Sequence, residues 1–460
     1  MIFARGAGKG TVRKMFSENV SAIATPHGKG GIAIIRISGE SPLEIAEKMF
    51  RPRGKVAVKD FQPYRMYPGD ILCDGFSDYG LCVYFKAPYS YTGEDVVEFQ
   101  CHGGEGVAAG ILKRTFALGA VPAGRGEFTK RAFLNGKLSL SSAEGVADLI
   151  NGESEAEIRA GYLLYNEKLT GRVREIQDIL KNTLAAIGAS VDYPEEDVEE
   201  ESREEVRAAL QKAKNGISVL LAGYGTGRRA KTGVTVAICG KPNTGKSSIL
   251  NRLLGYDKAI VSSAAGTTRD AVEGEIELDG VRFKLYDTAG VRESGDEIEN
   301  AGISLAEKLI KSADLRMFVS EKGAPFSNED ARVLQLAKCG AYIKVLNKAD
   351  LSGDETETDA DVTVSAATGE GFSELKRLLV SRGVGERTEE SAFLVEERHY
   401  KALQRAKSAL AAALADINSI PLDLLSVSVQ EAWAALGEIT GETASEEIVT
   451  KIFSKFCVGK

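Results

Sequence analysis

The sequence predicts a multi-domain α/β protein: an N-terminal α+β domain, a helical domain in two pieces, and a doubly wound phosphate-loop domain inserted between those pieces. Three observations predict this. Alternating apolar runs ("IAIIRIS", "GLCVYFKA", "DVVEFQCH") mix with short helical stretches between Ser21 and about Leu134. Apolar residues then recur at steps of three and four, first over Tyr162, Tyr165, Leu169, Val173, Ile176, Leu180, Leu184 and Ile187, and again over Leu403, Ala406, Leu410, Leu414 and Ile417. From Val234 to about Val380 the pattern is strand, loop, helix, strand, which builds a parallel sheet covered by helices.

Taken in order, residues 1–20 are expected to be a flexible N-terminal extension. Their opening "MIFARGAGKGTVRKMF" is basic but lacks the apolar centre of a secretion signal, and Met15 is an alternative start. Residues 21–134 form the α+β domain, 135–230 the first half of the helical domain, 231–384 the insertion, and 385–460 the second half with its "CVGK" tail. The stripe from Tyr162 to Ile187 reads as one long helix. The acid-rich "YPEEDVEEESREEV" reads as a solvated turn and helix face, and the glycine-studded "AGYGTGRRAKTG" as a hinge.

Composition bounds the function. The formal charge is -8, which excludes a protein coated in basic surface but leaves local grips on nucleic acid open. "RPRGK" (Arg51 to Lys55), Lys113, Arg114, Arg125, Lys130 and Arg131 are candidates for RNA phosphates or plain surface charges. No apolar run approaches the roughly 20 residues of a membrane span, so no membrane association is expected. The six cysteines are scattered without metal-site spacing, which suits a reducing, cytoplasmic setting.

"VAICGKPNTGKSSIL" places Gly240-x4-Gly245-Lys246-Ser247 directly after a β-branched strand and before a helical pattern. Such a loop aims backbone N–H groups at phosphate oxygens, with Lys246 reaching the β- and γ-phosphates and the Ser247 hydroxyl available to Mg²⁺. "AGTTRD" offers Thr267 and Thr268 to a switch loop, with Thr268 completing the Mg²⁺ shell. "DTAG" offers Asp287 to the metal's water shell and the Gly290 amide to the γ-phosphate. In "VLNKAD", Asn347, Lys348 and Asp350 end an apolar strand, and the Asp350 carboxylate accepts both guanine N1–H and N2–H, a donor pair adenine lacks. "SAATG", starting at Ser365, fits a further base-contacting loop. These ordered elements predict GTP binding and hydrolysis by a Ras-like P-loop domain. Val291 stands where many such proteins carry a water-orienting glutamine, which leaves Glu293, Asp296, Glu297 and Glu299 as polar candidates on the same loop.

Together with "ATPHGKGGIAIIRISG", "SYTGEDVVEFQCHGG", "GRGEFTKRAFLNGKLSLSSAEGVADLI" and the terminal "FCVGK", these motifs closely resemble the MnmE (TrmE) family of tRNA-modification GTPases, from about Ser21 to Lys460. The resemblance implies an N-terminal folate-binding and dimerising domain. It implies a homodimer working with the flavin-dependent partner MnmG and tRNA. Together they place a carboxymethylaminomethyl-type group on C5 of the wobble uridine, using 5-formyl- or methylene-tetrahydrofolate. It extends the GTP-binding set of Thr244, Gly245, Lys246 and Ser247 to Asn243, Ser248, Ser262, Ser263, Ala264, Ala265, Gly266, Thr288, Ala289 and Ala366. It implies K⁺ held by Asn243, Ser262, Ala264 and Thr267 in place of an arginine finger, and a catalytic set of Glu299, Asp287, Lys246 and Cys457 in which Glu299 orients water. It implies folate contacts at Arg36, Glu98, Lys137 and Lys460. Cys457 is equally readable as a nucleophile or an idle thiol, and His102 beside Cys101 should point to the opposite face of a strand. Ser320 stands where related GTPases often carry aspartate, a change expected to affect a loop. The alternative function is a GTP-controlled RNA-binding switch, such as a ribosome-assembly GTPase. A folate enzyme fused to a regulatory GTPase is a third.

Overall fold

The computed structural model describes residues 18–192, 199–256, 274–288, 306–351, 359–386 and 390–460. These divide into two compact units, one of residues up to 147, 164–189 and 423–460, the other of residues 148–163 and 190–422. The helical residues on either side of the insertion are thus shared between the units.

The first unit is built on β1 (Val20–Ile23), β2 (Ile32–Gly39), β3 (Phe50–Pro52), β4 (Met66–Leu72), β5 (Ser77–Phe85), β6 (Asp95–His102) and β7 (Val121–Pro122), ordered β3-β4-β5-β6-β2-β1-β7. Alternation decides which side chains are inside. Ala33, Ile35 and Ile37 of β2 and Val97, Phe99 and Cys101 of β6 turn into one core, while Arg36 and Glu98, directly opposite in register, turn to the other face. His102 is exposed and pairs with Asp78 through Nδ1 at 2.6 Å, whereas Cys101 is buried, so the two neighbours face opposite ways as expected.

The stripe from Tyr162 to Ile187 is not one helix. Helix Glu155–Tyr165 stops, Glu167 takes a left-handed φ of 59°, and a second helix runs Lys168–Asp192. Leu169, Val173, Ile176, Leu180 and Ile187 are buried, but Tyr162 and Tyr165 are exposed. A left-handed residue ends the helical hydrogen-bond ladder and resets the direction of its apolar face.

The second unit carries β8 (Val234–Cys239), β9 (Gly274–Leu278), β10 (Val281–Asp287), β11 (Leu315–Glu321), β12 (Tyr342–Asn347) and β13 (Val362–Thr363), ordered β13-β12-β11-β8-β10-β9. All pairings are parallel except β9 with β10. Val236, Ile238, Phe283, Leu285, Met317 and Val345 fill the core from strands covered on both faces. β8 lies between β10 and β11, so the loop after it opens where strand order reverses, the usual place for a ligand in such a sheet.

Two features fix this sheet to its surroundings. The glycine-rich stretch read as a hinge is a helix, Tyr224–Thr232. Its glycine serves proximity: a Cβ on Gly227 would lie 2.1 Å from the Ser391 carbonyl oxygen and 2.8 Å from that of Leu394. On this helix Lys231 joins Asp148 and Glu396; burial alone would lower its pKa, but the two carboxylates outweigh it and raise it. On β10, Arg282 is clasped by Glu153 and Glu157, and the Ala156 N–H donates to Gly280 O at 3.0 Å. Elsewhere in this unit helix Glu199–Ala222 lies against Glu397–Asp416, with Arg203 donating to Ile417 O at 2.6 Å and Ile420 O at 3.0 Å. Among the described residues no helix is long and apolar enough to cross a membrane.

Candidate functional site

β8 ends in a loop that helix Lys246–Tyr256 continues. Left-handed φ values at Asn243 (67°) and Gly245 (89°) curl it. A Cβ on Gly245 would meet the Asn347 amide nitrogen at 2.2 Å, so glycine is required there. Lys246 is buried, and its ammonium donates back to Lys241 O at 2.8 Å. Ser247 Oγ donates to Asp287 Oδ2 at 2.5 Å, bringing together the two side chains that the sequence offers to Mg²⁺ and its water shell. This is a set of hard oxygen donors at a helix N-terminus and suits Mg²⁺. Thr288 donates to Ile238 O at 2.9 Å, while Asn243, Ser247 and Ser248 are exposed at the loop's open side.

The residues expected to read the base also converge. The Ser365 hydroxyl donates to Asp350, and that bond, then the aspartate's own backbone N–H, holds the Asp350 carboxyl below the usual range. Asn347 is buried and spans the site: its Nδ2 donates to Thr244 O at 2.9 Å and its Oδ1 accepts from Ala366 N at 3.2 Å. Lys348, at a left-handed φ of 66°, pairs with Glu321 at 2.8 Å. Ser320 is buried and donates to Val345 O at 3.4 Å, a strand contact away from the phosphate loop's hydrogen bonds.

Sequence reasoning missed two supports of this site. Lys241 Nζ donates to Asp330 Oδ2 at 2.8 Å, tying the phosphate loop to the cap of helix Asn328–Ala337. Burial would raise the Asp330 pKa, but hydrogen bonds from Lys241 and Ser327 outweigh it and keep the carboxylate charged. Arg252 reaches two carbonyls of the "SAATG" loop. Neither follows from local pattern, since each joins segments more than 80 residues apart. Ser262, Ser263, Ala264, Ala265, Gly266, Thr267, Thr268, Ala289, Gly290, Val291, Glu293, Asp296, Glu297 and Glu299 lie outside the described residues.

In the first unit, Arg36 and Glu98 pair with each other at 2.7 Å. The Arg36 guanidinium lies 5.8 Å from the Tyr91 ring centre and 5.3 Å from that of Phe128. The C-terminal tail reaches the same place. Phe128 N–H donates to Lys460 O at 3.1 Å, Gly126 N–H to Cys457 O at 3.2 Å, and Gly459 packs where a Cβ would meet Ile23 O at 2.2 Å. Cys457 itself is exposed. Lys137 donates to Pro88 O at 3.0 Å, on the loop that also carries Tyr91. Arg131 leaves the set of phosphate candidates: it is buried and bound to Glu94, Glu127 and the Glu18 carbonyl. Arg114 pairs with Asp74, and Arg53 with Asp70.

A curled phosphate loop, a serine–aspartate pair at its helix and a carboxylate fixed beside a second loop define a guanine-nucleotide-binding P-loop protein. Comparison with known proteins carries this further. A family model described as the MnmE helical domain matches residues 140–457, and one described as the GTP-binding protein TrmE N-terminus matches residues 19–137. The tRNA modification GTPase MnmE of Geotalea uraniireducens is 39% identical over 456 residues, covering 96% of this chain and 99% of that protein. That of Natranaerobius thermophilus is 38% identical over 461 residues, covering 97% and 100%. The chain belongs to the MnmE family of tRNA modification GTPases. Among solved structures, the G domain of the T. maritima FeoB iron transporter aligns with 32% of this chain and 98% of its own, at 26% identity and a TM-score of 0.24.

Proposed function

We propose that this chain hydrolyses GTP in order to modify the wobble uridine (position 34) of certain tRNAs at C5, adding a carboxymethylaminomethyl-type group together with the flavin-dependent MnmG. It acts as a cytoplasmic homodimer. Residues 21–134 hold 5-formyl- or methylene-tetrahydrofolate, residues 231–384 the nucleotide, and the segments 135–230 and 385–460 are the two halves of a helical domain. The observation that carries this reading is the convergence of Arg36, Glu98, Tyr91, Phe128 and the Lys460 tail in a unit that does not contain the phosphate loop. A carboxylate suits pterin N–H groups, cations suit the folate's glutamate tail, and the rings offer stacking surfaces. An assembly switch has no use for such a set. The folate, when bound, supplies the one-carbon unit; Arg36, Glu98, Lys137 and Lys460 bind and orient it.

At the nucleotide, Lys246 would give up Lys241 O to meet the β- and γ-phosphates, and Ser247 with Thr268 would hold Mg²⁺, whose chemistry there would be to offset phosphate charge. Asn243, Ser262, Ala264 and Thr267 would hold K⁺, and Glu299 would orient the water that Val291 cannot. Of the K⁺ donors, Asn243 is described, and its exposed amide at a left-handed turn suits an ion shared outside the loop.

The test is nucleoside analysis of tRNA from cells lacking this protein, complemented with the wild-type chain or with Asp287→Ala or Arg36→Ala. Unmodified wobble uridine is expected in the null and in both variants, and the modified nucleoside with the wild type. Full modification by Arg36→Ala would remove the folate site from its proposed place.

A further inference from the structure

Arg252 lies on helix Lys246–Tyr256, two turns beyond the phosphate loop, and no nucleotide-binding motif includes it. Its Nη1 donates to Ala366 O at 3.0 Å and to Ala367 O at 2.9 Å, and its guanidinium sits 5.9 Å from the ring centre of the buried Phe372. One cationic group therefore fixes two successive peptide units of the loop that follows β13. We propose that Arg252 is a positioning residue for guanine: it orients the Ser365–Thr368 main chain so that the loop donates to O6 of the base.

Asp350 satisfies the N1–H and N2–H edge of guanine, which leaves O6, an acceptor, in need of a donor nearby. The Ser365 hydroxyl on Asp350 puts the start of the loop beside that edge. A peptide is planar, and its C=O and N–H point in opposite directions, so holding Ala366 O against Arg252 turns the Ala367 N–H to the far side of the loop. The other end is pinned too, because Ala366 N donates to Asn347 Oδ1 and Thr368 N to Ser365 Oγ at 3.1 Å. Without Arg252 both carbonyls lose a charge-assisted partner, and the loop is free to rotate its peptides. The inference rests on Asp350 and the Ser365–Thr368 loop being the guanine site that the sequence predicts.

The experiment measures dissociation constants of the full-length protein for GDP, for 6-thioguanosine diphosphate and for inosine diphosphate. The thio analogue keeps N1–H and N2–H but replaces O6 with a poorer acceptor, and inosine keeps O6 but lacks the N2 amine. Wild type is expected to prefer GDP over both. Arg252→Met is expected to weaken GDP by about tenfold, the scale of one charge-assisted hydrogen bond, and the thio analogue far less, so that this preference shrinks while the GDP-to-inosine ratio stays. Arg252→Lys, which keeps a donor cation, should restore most of the preference. An equal loss on all three ligands in Arg252→Met would mean general loosening and overturn the proposal, as would unchanged binding. A wild type blind to the N2 amine would overturn the base-site reading itself, whereas one that sees the amine but not O6 would overturn the role of Arg252 alone.

Discussion

At Asp350 a carboxylate with two acceptor oxygens faces solvent, kept ionised by the Ser365 hydroxyl and its own N–H. An amide in its place presents one donor group and one acceptor, which matches xanthine better than guanine. Asp350→Asn should weaken GTP binding by about a hundredfold and permit hydrolysis of XTP, read from turnover with each nucleotide. The motif residues were legible because their chemistry sits at fixed offsets from a strand: Lys246, Ser247, Asp287 and Asp350 all fall at the open ends of β8, β10 or β12. Asn347 was legible as a motif member but not as the bond between Thr244 and Ala366, which depends on neighbours 103 and 19 residues away. Arg36 and Glu98 were legible singly, and their pairing needed the β2–β6 register.

At the scale of elements, the periodicity that marks a buried face carried the side chains from Leu169 onward but neither the break nor the exposed Tyr162 and Tyr165 before it. Leu169 to Ile187 is the buried stripe expected, while Glu167 ends the continuity that spacing alone implied. Glycine composition misled in the opposite direction. Helix Tyr224–Thr232 carries glycine because the chain at Ser391 and Leu394 passes within backbone contact, a tertiary demand that reads locally as looseness. Gly227→Ala should therefore destabilise the protein by about 1–3 kcal/mol, seen as a lower denaturation midpoint, since both obstacles are main-chain atoms that do not swing aside. An unchanged midpoint would mean that the helix shifts freely.

For the whole molecule, the proposed K⁺ ion at Asn243 answers a sequence that lacks, at Val291, a side chain able to hold water. Turnover in K⁺ should exceed turnover in Na⁺ severalfold, and Glu299→Ala should lower kcat with little change in GTP affinity. Equal rates in the two salts would remove the ion from the mechanism. How hydrolysis is felt beyond the phosphates has a physical basis in β10. One end of this strand presents Asp287 to Ser247; near the other, Arg282 is clasped by two glutamates and Gly280 is bonded to Ala156. A paired strand barely stretches, and the five steps from Arg282 to Asp287 span about 17 Å. Such a rod transmits a pull without absorbing it, so a nucleotide-driven displacement of the carboxylate along the strand would arrive at the start of helix Glu155–Tyr165 almost undiminished.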